Sequence, residues 1–175
     1  MSMRRIRNYS GFTLIEMLIV VIVLGILAAI IIPQIAVSTD DAKLNTLQTN
    51  LGGVRNAVEL YYFEHNSTYP GAVPTTKPVD VVTTADAFVA QLARYTDAAG
   101  NISNSKTVVY KYGPYIKNGK LPRNPYNDKS DVVIDSTEAD ITVRDSSATD
   151  NGWMFYYLTG VYIAADGTAG AHDAL

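Results

Sequence analysis

From Phe12 to Ile32 the chain is apolar almost without interruption, 21 residues carrying a single charge, Glu16. Arg4, Arg5 and Arg7 precede the run, Gly11 adjoins it and Pro33 closes it. A helix rises about 1.5 Å per residue, so the stretch spans roughly 30 Å, the hydrocarbon thickness of a bilayer. A cleaved secretory signal fits poorly, because its apolar region is about 7–15 residues long and ends in a small-x-small site. A membrane anchor explains the length and the basic flank but not Glu16, since carboxylates inside membrane helices are costly and mark function. Beyond Pro33 the period persists while the composition changes. Leu44, Leu47, Leu51, Val54, Val58 and Tyr61 line one side, with Lys43, Asn45, Asn50, Asn56 and Glu59 opposite, as on an amphipathic helix. The pattern predicts one long helix from about Thr13 to Glu64, its first half in the membrane and its second half packed on a globular domain. Pro33 removes a backbone donor and should kink that helix or loosen one turn. Gly52-Gly53 points to close packing against a sheet rather than to a hinge.

Tyr69-Pro70-Gly71 ends the helical region in a turn, and Pro70, Pro74 and Pro78 make residues 70–82 an extended loop. Thr84 or Asp86 can cap a second helix running to about Tyr95, with Phe88, Leu92 and Tyr95 on one face; the polar stretch 97–101 stops it. Strands are expected at Thr107–Tyr112, Val132–Ile134 and Ile141–Val143. A last hairpin joins Trp153–Leu158 to Val161–Ala165 across Thr159-Gly160. The fold class is α+β, a long helix on a small antiparallel sheet.

The full length of 175 residues suffices for an anchor plus one small domain. Three of the 14 basic residues precede Gly11, which leaves 11 against 17 acidic ones, a formal charge of −6 after that point. No basic patch argues for nucleic acid. The arginines before the apolar run, with Asp40 and Asp41 after it, put the N-terminus in the cytoplasm and the domain on the other side. Cysteine is absent, so the domain must be stable without disulfides. The chain lacks His-Glu-x-x-His, Gly-x-Ser-x-Gly and a phosphate-binding Gly-Lys-Ser/Thr loop, which argues against an enzyme. His65 and His172 are most simply solvent-exposed. Tyr61, Tyr62, Phe63, Tyr69, Tyr156, Tyr157 and Tyr162 should pack helix on sheet, with the hydroxyls reaching water. The acidic residues from Asp128 to Asp150 form a solvated loop face or, alternatively, a calcium site, since calcium takes several loop oxygens. Candidate ligands are Asp128, Asp131, Asp135 and Asp140.

Gly11-Phe12-Thr13-Leu14-Ile15-Glu16 resembles the processing site of type IV pilins and type II secretion pseudopilins. The resemblance implies cleavage by a prepilin peptidase after Gly11, methylation of the new Phe12 amine, and a role for Glu16 in filament assembly. Pro33 falls where that family often bends its helix. The segment Gly113–Tyr126 is similar to a loop of the major, G-type pseudopilins, whose Asp-Pro-Trp-Gly is replaced by Asn124-Pro125-Tyr126-Asn127. The lack of cysteine also departs from pilins that close a C-terminal loop with a disulfide. The resemblance further implies calcium in the C-terminal loops. It divides the chain into a leader (1–11), a transmembrane and assembly helix (12–33) and a periplasmic domain (34–175). The implied function is a structural subunit of a type II secretion pseudopilus, anchored in the inner membrane. Its implied partners are further copies of itself, minor pilin-like subunits, the peptidase and an inner-membrane assembly platform. A type IV pilus subunit for adhesion or motility is the first alternative, and a membrane-anchored enzyme or binding domain the second.

Overall fold

The computed structural model describes residues 11–143 and 150–167, without the side chains of 31–38, 150 and 166. Helix α1 runs Leu14–Glu64, 51 residues, as the apolar period predicts. The chain divides into two compact units, Met1–Ala42 and Lys43–Leu175. In the first unit every described side chain from Gly11 to Ile30 is exposed. Helical backbone continues through Pro33, whose side chain, and with it the expected kink, lies outside the described set. Among the described residues no helix is long and apolar enough to cross a membrane. The apolar stretch with described side chains stops at Ile30, short of the about 20 residues that a span requires.

In the second unit Leu47, Leu51, Val54, Val58 and Tyr61 of α1 are buried, the face that the spacing marks out. Against them pack Phe88 and Leu92 of helix α2 (Thr84–Ala93) and Trp153, Phe155 and Tyr162 of the sheet. Each fully buried large apolar side chain contributes roughly 1.5–3 kcal/mol, so this contact holds the domain together without disulfides. The α2 cap is Thr83, not Thr84 or Asp86. Its hydroxyl accepts from the Asp86 N–H, while the Asp86 carboxylate accepts from the Thr83 N–H, a reciprocal capping box.

Strands β1 (Tyr95–Thr96) and β2 (Ile102–Ser103) form an unforeseen antiparallel pair. The Asp97 carboxylate builds the turn between them by accepting the N–H groups of Ala99 and Asn101. Strands β3 (Val132–Asp135), β4 (Asp150–Tyr156) and β5 (Val161–Asp166) form a sheet in the order β3-β4-β5. β4 and β5 are the expected hairpin, but β3 pairs with β4 in parallel, so the sheet is mixed rather than antiparallel. A parallel neighbour cannot be joined by a tight hairpin.

Three expectations fail. Thr107–Tyr112 is no strand: Val108 is 94% exposed and the pairing there is one isolated bridge, Thr96 to Tyr112. Ile141 is 63% exposed in a turn closed by the Val143 N–H on the Asp140 carbonyl. Both segments have β-branched residues, but within them only Tyr112 pairs with a strand. Gly52 and Gly53 do not abut the sheet, since a Cβ on either meets nothing within 4 Å.

Candidate functional site

The helix that carries the apolar run begins with a cap. Thr13 donates its N–H and its hydroxyl to one carboxylate oxygen of Glu16, Oε2, at 2.8 and 2.9 Å. The Glu16 N–H returns to the Thr13 hydroxyl at 3.3 Å. Thr13-x-x-Glu16 is thus the same reciprocal capping box as at α2. It places a carboxylate at the positive end of the helix dipole. Glu16 Oε1 has no protein partner among the described residues. The Thr-x-x-Glu spacing is the sequence signal for this cap. Gly11 and Phe12 stand just before it in non-helical backbone, Phe12 79% exposed.

From Phe12 to Ile30 fourteen large apolar side chains are 47–87% exposed. They cover the helix on all sides, and a helix apolar all round is stable only when something else surrounds it. Burying them is worth on the order of 20 kcal/mol. Glu16 is the one charged residue of that run.

The second unit holds a buried polar centre at the end of α1. His65 is 2% exposed, which corrects the expectation that it faces solvent. Its ring stacks on Tyr61 at 3.7 Å and 4°. Nδ1 lies 2.8 Å from the Tyr61 carbonyl and Nε2 lies 2.8 Å from the Thr96 hydroxyl. A carbonyl only accepts, so Nδ1 carries the proton and Nε2 accepts from Thr96. Burial lowers the His65 pKa and outweighs the opposing pull of the Tyr61 carbonyl, Glu64 and Asp97. Tyr115 donates to Glu64 at 2.5 Å across the same centre, and burial followed by that carboxylate pushes the Tyr115 pKa up. His172 lies outside the described residues. The arrangement fastens α1 to β1.

Tyr61 of the helix and Tyr162 of the sheet share the helix-on-sheet core with Tyr69 and Tyr157 at its edge, while Tyr156 packs in a separate cluster with Met154 and Ile163. Phe63 points outward, 79% exposed, and the expectation that the hydroxyls reach water fails for Tyr61, Tyr156 and Tyr162, all buried. The Tyr162 hydroxyl has no hydrogen-bond partner among the described residues, and burial raises its pKa.

The four calcium candidates do not converge. Asp128 pairs with Arg123 at 2.8 Å and Asp131 accepts the Gly152 N–H. Asp135 accepts the N–H groups of Thr137 and Glu138, and Asp140 accepts the hydroxyl and N–H of Thr142. These bonds, led by the Thr137 N–H for Asp135 and the Thr142 hydroxyl for Asp140, hold both carboxyls below their usual range. Among the described residues no three metal-ligating side chains come together. The Asn124-Pro125-Tyr126-Asn127 segment has a structural task instead. Asn124, fully buried, donates to the Gly152 carbonyl and accepts the Tyr126 N–H.

A family profile described as the prokaryotic N-terminal methylation motif matches residues 6–32. The type II secretion system core protein G of Vibrio cholerae is 30% identical over 124 residues, 71% of this chain and 70% of that protein. The chain belongs to the type II secretion system core protein G family. The core protein G of Aeromonas hydrophila is 29% identical over 120 residues, 69% of each chain. A type IV major pilin protein of Neisseria gonorrhoeae is 30% identical over 112 residues, 64% of this chain and 50% of that pilin. No solved structure matches. Family membership bears out the pseudopilin resemblance and the α+β pilin-like fold, and the methylation motif covers Gly11, Phe12 and Glu16.

Proposed function

We propose that the chain is cut after Gly11, methylated on the Phe12 amine and polymerised into a type II secretion pseudopilus. In this reading residues 12–33 anchor it in the inner membrane with the N-terminus cytoplasmic and the domain periplasmic. The observation that carries it is the helix apolar all round whose one carboxylate is oriented by Thr13 through Oε2, leaving Oε1 to accept from a second donor. Cleavage supplies that donor, the Phe12 amine, and in a filament the amine of a neighbouring copy supplies it without bending the chain. Pairing then offsets the cost of the buried charge only on assembly and fixes the axial register, which apolar faces alone leave free to slide. Minor pilin-like subunits and an assembly platform are the further partners this role requires. The likeness to a type IV major pilin supports the alternative of a pilus for adhesion or motility. Deleting the gene separates the two: loss of exported proteins marks the pseudopilus, loss of surface motility the pilus.

Processing is tested with Gly11→Val. A peptidase needs close access to an extended backbone, which glycine gives and a β-branched residue blocks. Intact-mass analysis should find this variant uncut; a mature chain beginning at Phe12 would reject the assignment.

A further inference from the structure

Two exposed chain reversals carry β-branched residues at their tips, where glycine, asparagine, aspartate or proline is usual. The first is Thr107–Tyr110, closed by the Thr107 N–H on the Tyr110 carbonyl and the Tyr110 N–H on the Thr107 hydroxyl. It presents Val108 and Val109, 94% and 62% exposed, between the exposed Lys106 and Lys111. The second, Asp140–Val143, presents Ile141 at 63% exposed beside Glu138 and Asp140. The surrounding sequence has the same polarity. Between Asp97 and Asp128 lie five basic residues and no acidic one, whereas from Asp128 to Asp150 seven acidic residues face two basic ones. The described ion pairs, Arg94–Asp80 and Arg123–Asp128, leave both tips out. The two tips hang from different parts of the domain. The basic one is tied to β1 through the Thr96–Tyr112 bridge, and the acidic one follows β3, whose Asp135 carbonyl accepts the Tyr157 N–H.

Resting on the filament reading above, we infer that the valine tip of one copy docks on the isoleucine tip of the next, with Lys106 and Lys111 facing Glu138 and Asp140. The occupant is a second copy because the two tips, each with an exposed apolar residue, carry opposite charge. Two different patches that complement each other make a head-to-tail contact, which extends into a helical polymer where it does not close into a ring. Facing like tips, by contrast, would set charge against like charge.

The chain has no cysteine, so crosslinking reads the contact directly. The full chain is expressed in its own cells as Val108→Cys, as Ile141→Cys, and as both single variants together with different tags. Both positions are exposed, and neither substitution disturbs the core. A short bismaleimide should join the two tagged chains in the sheared filament fraction, and neither single variant should crosslink to itself. Adding Lys106→Glu and Lys111→Glu to the cysteine-108 chain should abolish the crosslink. Filaments without the mixed crosslink, or with single variants that crosslink to themselves, overturn the contact. Absence of filaments from the unaltered chain overturns the filament reading instead.

Discussion

His65 sits neutral between the carbonyl of Tyr61 and the hydroxyl of Thr96, and that makes it a proton-sensitive fastener. Burial lowers its folded pKa beneath the about 6.5 of an unfolded histidine. Below that value the unfolded chain binds a proton that the folded chain refuses, so stability falls as pH drops through about 6.5 and levels off once the folded ring also titrates. Glu64 and Asp97 oppose this by favouring the cation, Tyr61 and Tyr115 frame the ring, and Tyr112 lies 5.2 Å away. Carboxylates whose pKa is lowered lose stability only nearer pH 4, so the window between about pH 5 and 6.5 belongs to His65. Urea unfolding of residues 43–175 should show stability decreasing with acid across that window, and His65→Gln should be less stable at neutral pH but flat across it. An equal slope in both proteins would remove His65 from the account.

Glycines separate two kinds of element. Gly52 and Gly53 lie in α1 with open space where a Cβ would go, so Gly52→Ala and Gly53→Ala should each stabilise the domain by about 0.5–1 kcal/mol through helix propensity and unfolded-state entropy. At Gly152 a Cβ would stand 2.4 Å from the Lys129 carbonyl oxygen, inside the register shift of β4. Gly152→Ala should therefore destabilise by about 1–3 kcal/mol, with a lower urea midpoint as the readout. If Gly152→Ala leaves the midpoint unchanged, or the helix substitutions lower it, the assignment of the two sites is wrong. The same contrast shows what was legible in the chain. α1, its buried face and the β4–β5 hairpin follow from local period and turn residues. The Thr13 and Thr83 caps are legible as Thr-x-x-Glu and Thr-x-x-Asp. The parallel pairing of β3 and the burial of His65 depend on residues distant in sequence, which no local pattern encodes. Thr107–Tyr112 shows the converse: strand-like composition does not make a strand where the chain reverses at Thr107–Tyr110 and only Tyr112 meets β1.

At the scale of the molecule, the domain folds on a buried helix face while the first unit leaves its apolar helix uncovered. The domain needs nothing from outside for its core, whereas the N-terminal helix needs a surrounding membrane or neighbouring helices. In the proposed function, processing, anchoring and polymerisation all bear on Gly11–Pro33, and Glu16 decides between a helix that merely inserts and one that assembles. Glu16→Ala removes the carboxylate, so it should insert at least as well as the unaltered chain and be cleaved after Gly11. Glu16→Asp keeps the charge but shortens its reach and should assemble in part. The decisive measurement is the filament yield of Glu16→Ala by shear fractionation and electron microscopy. Normal cleavage with no filaments is the expected result, and a normal yield of filaments would contradict the account.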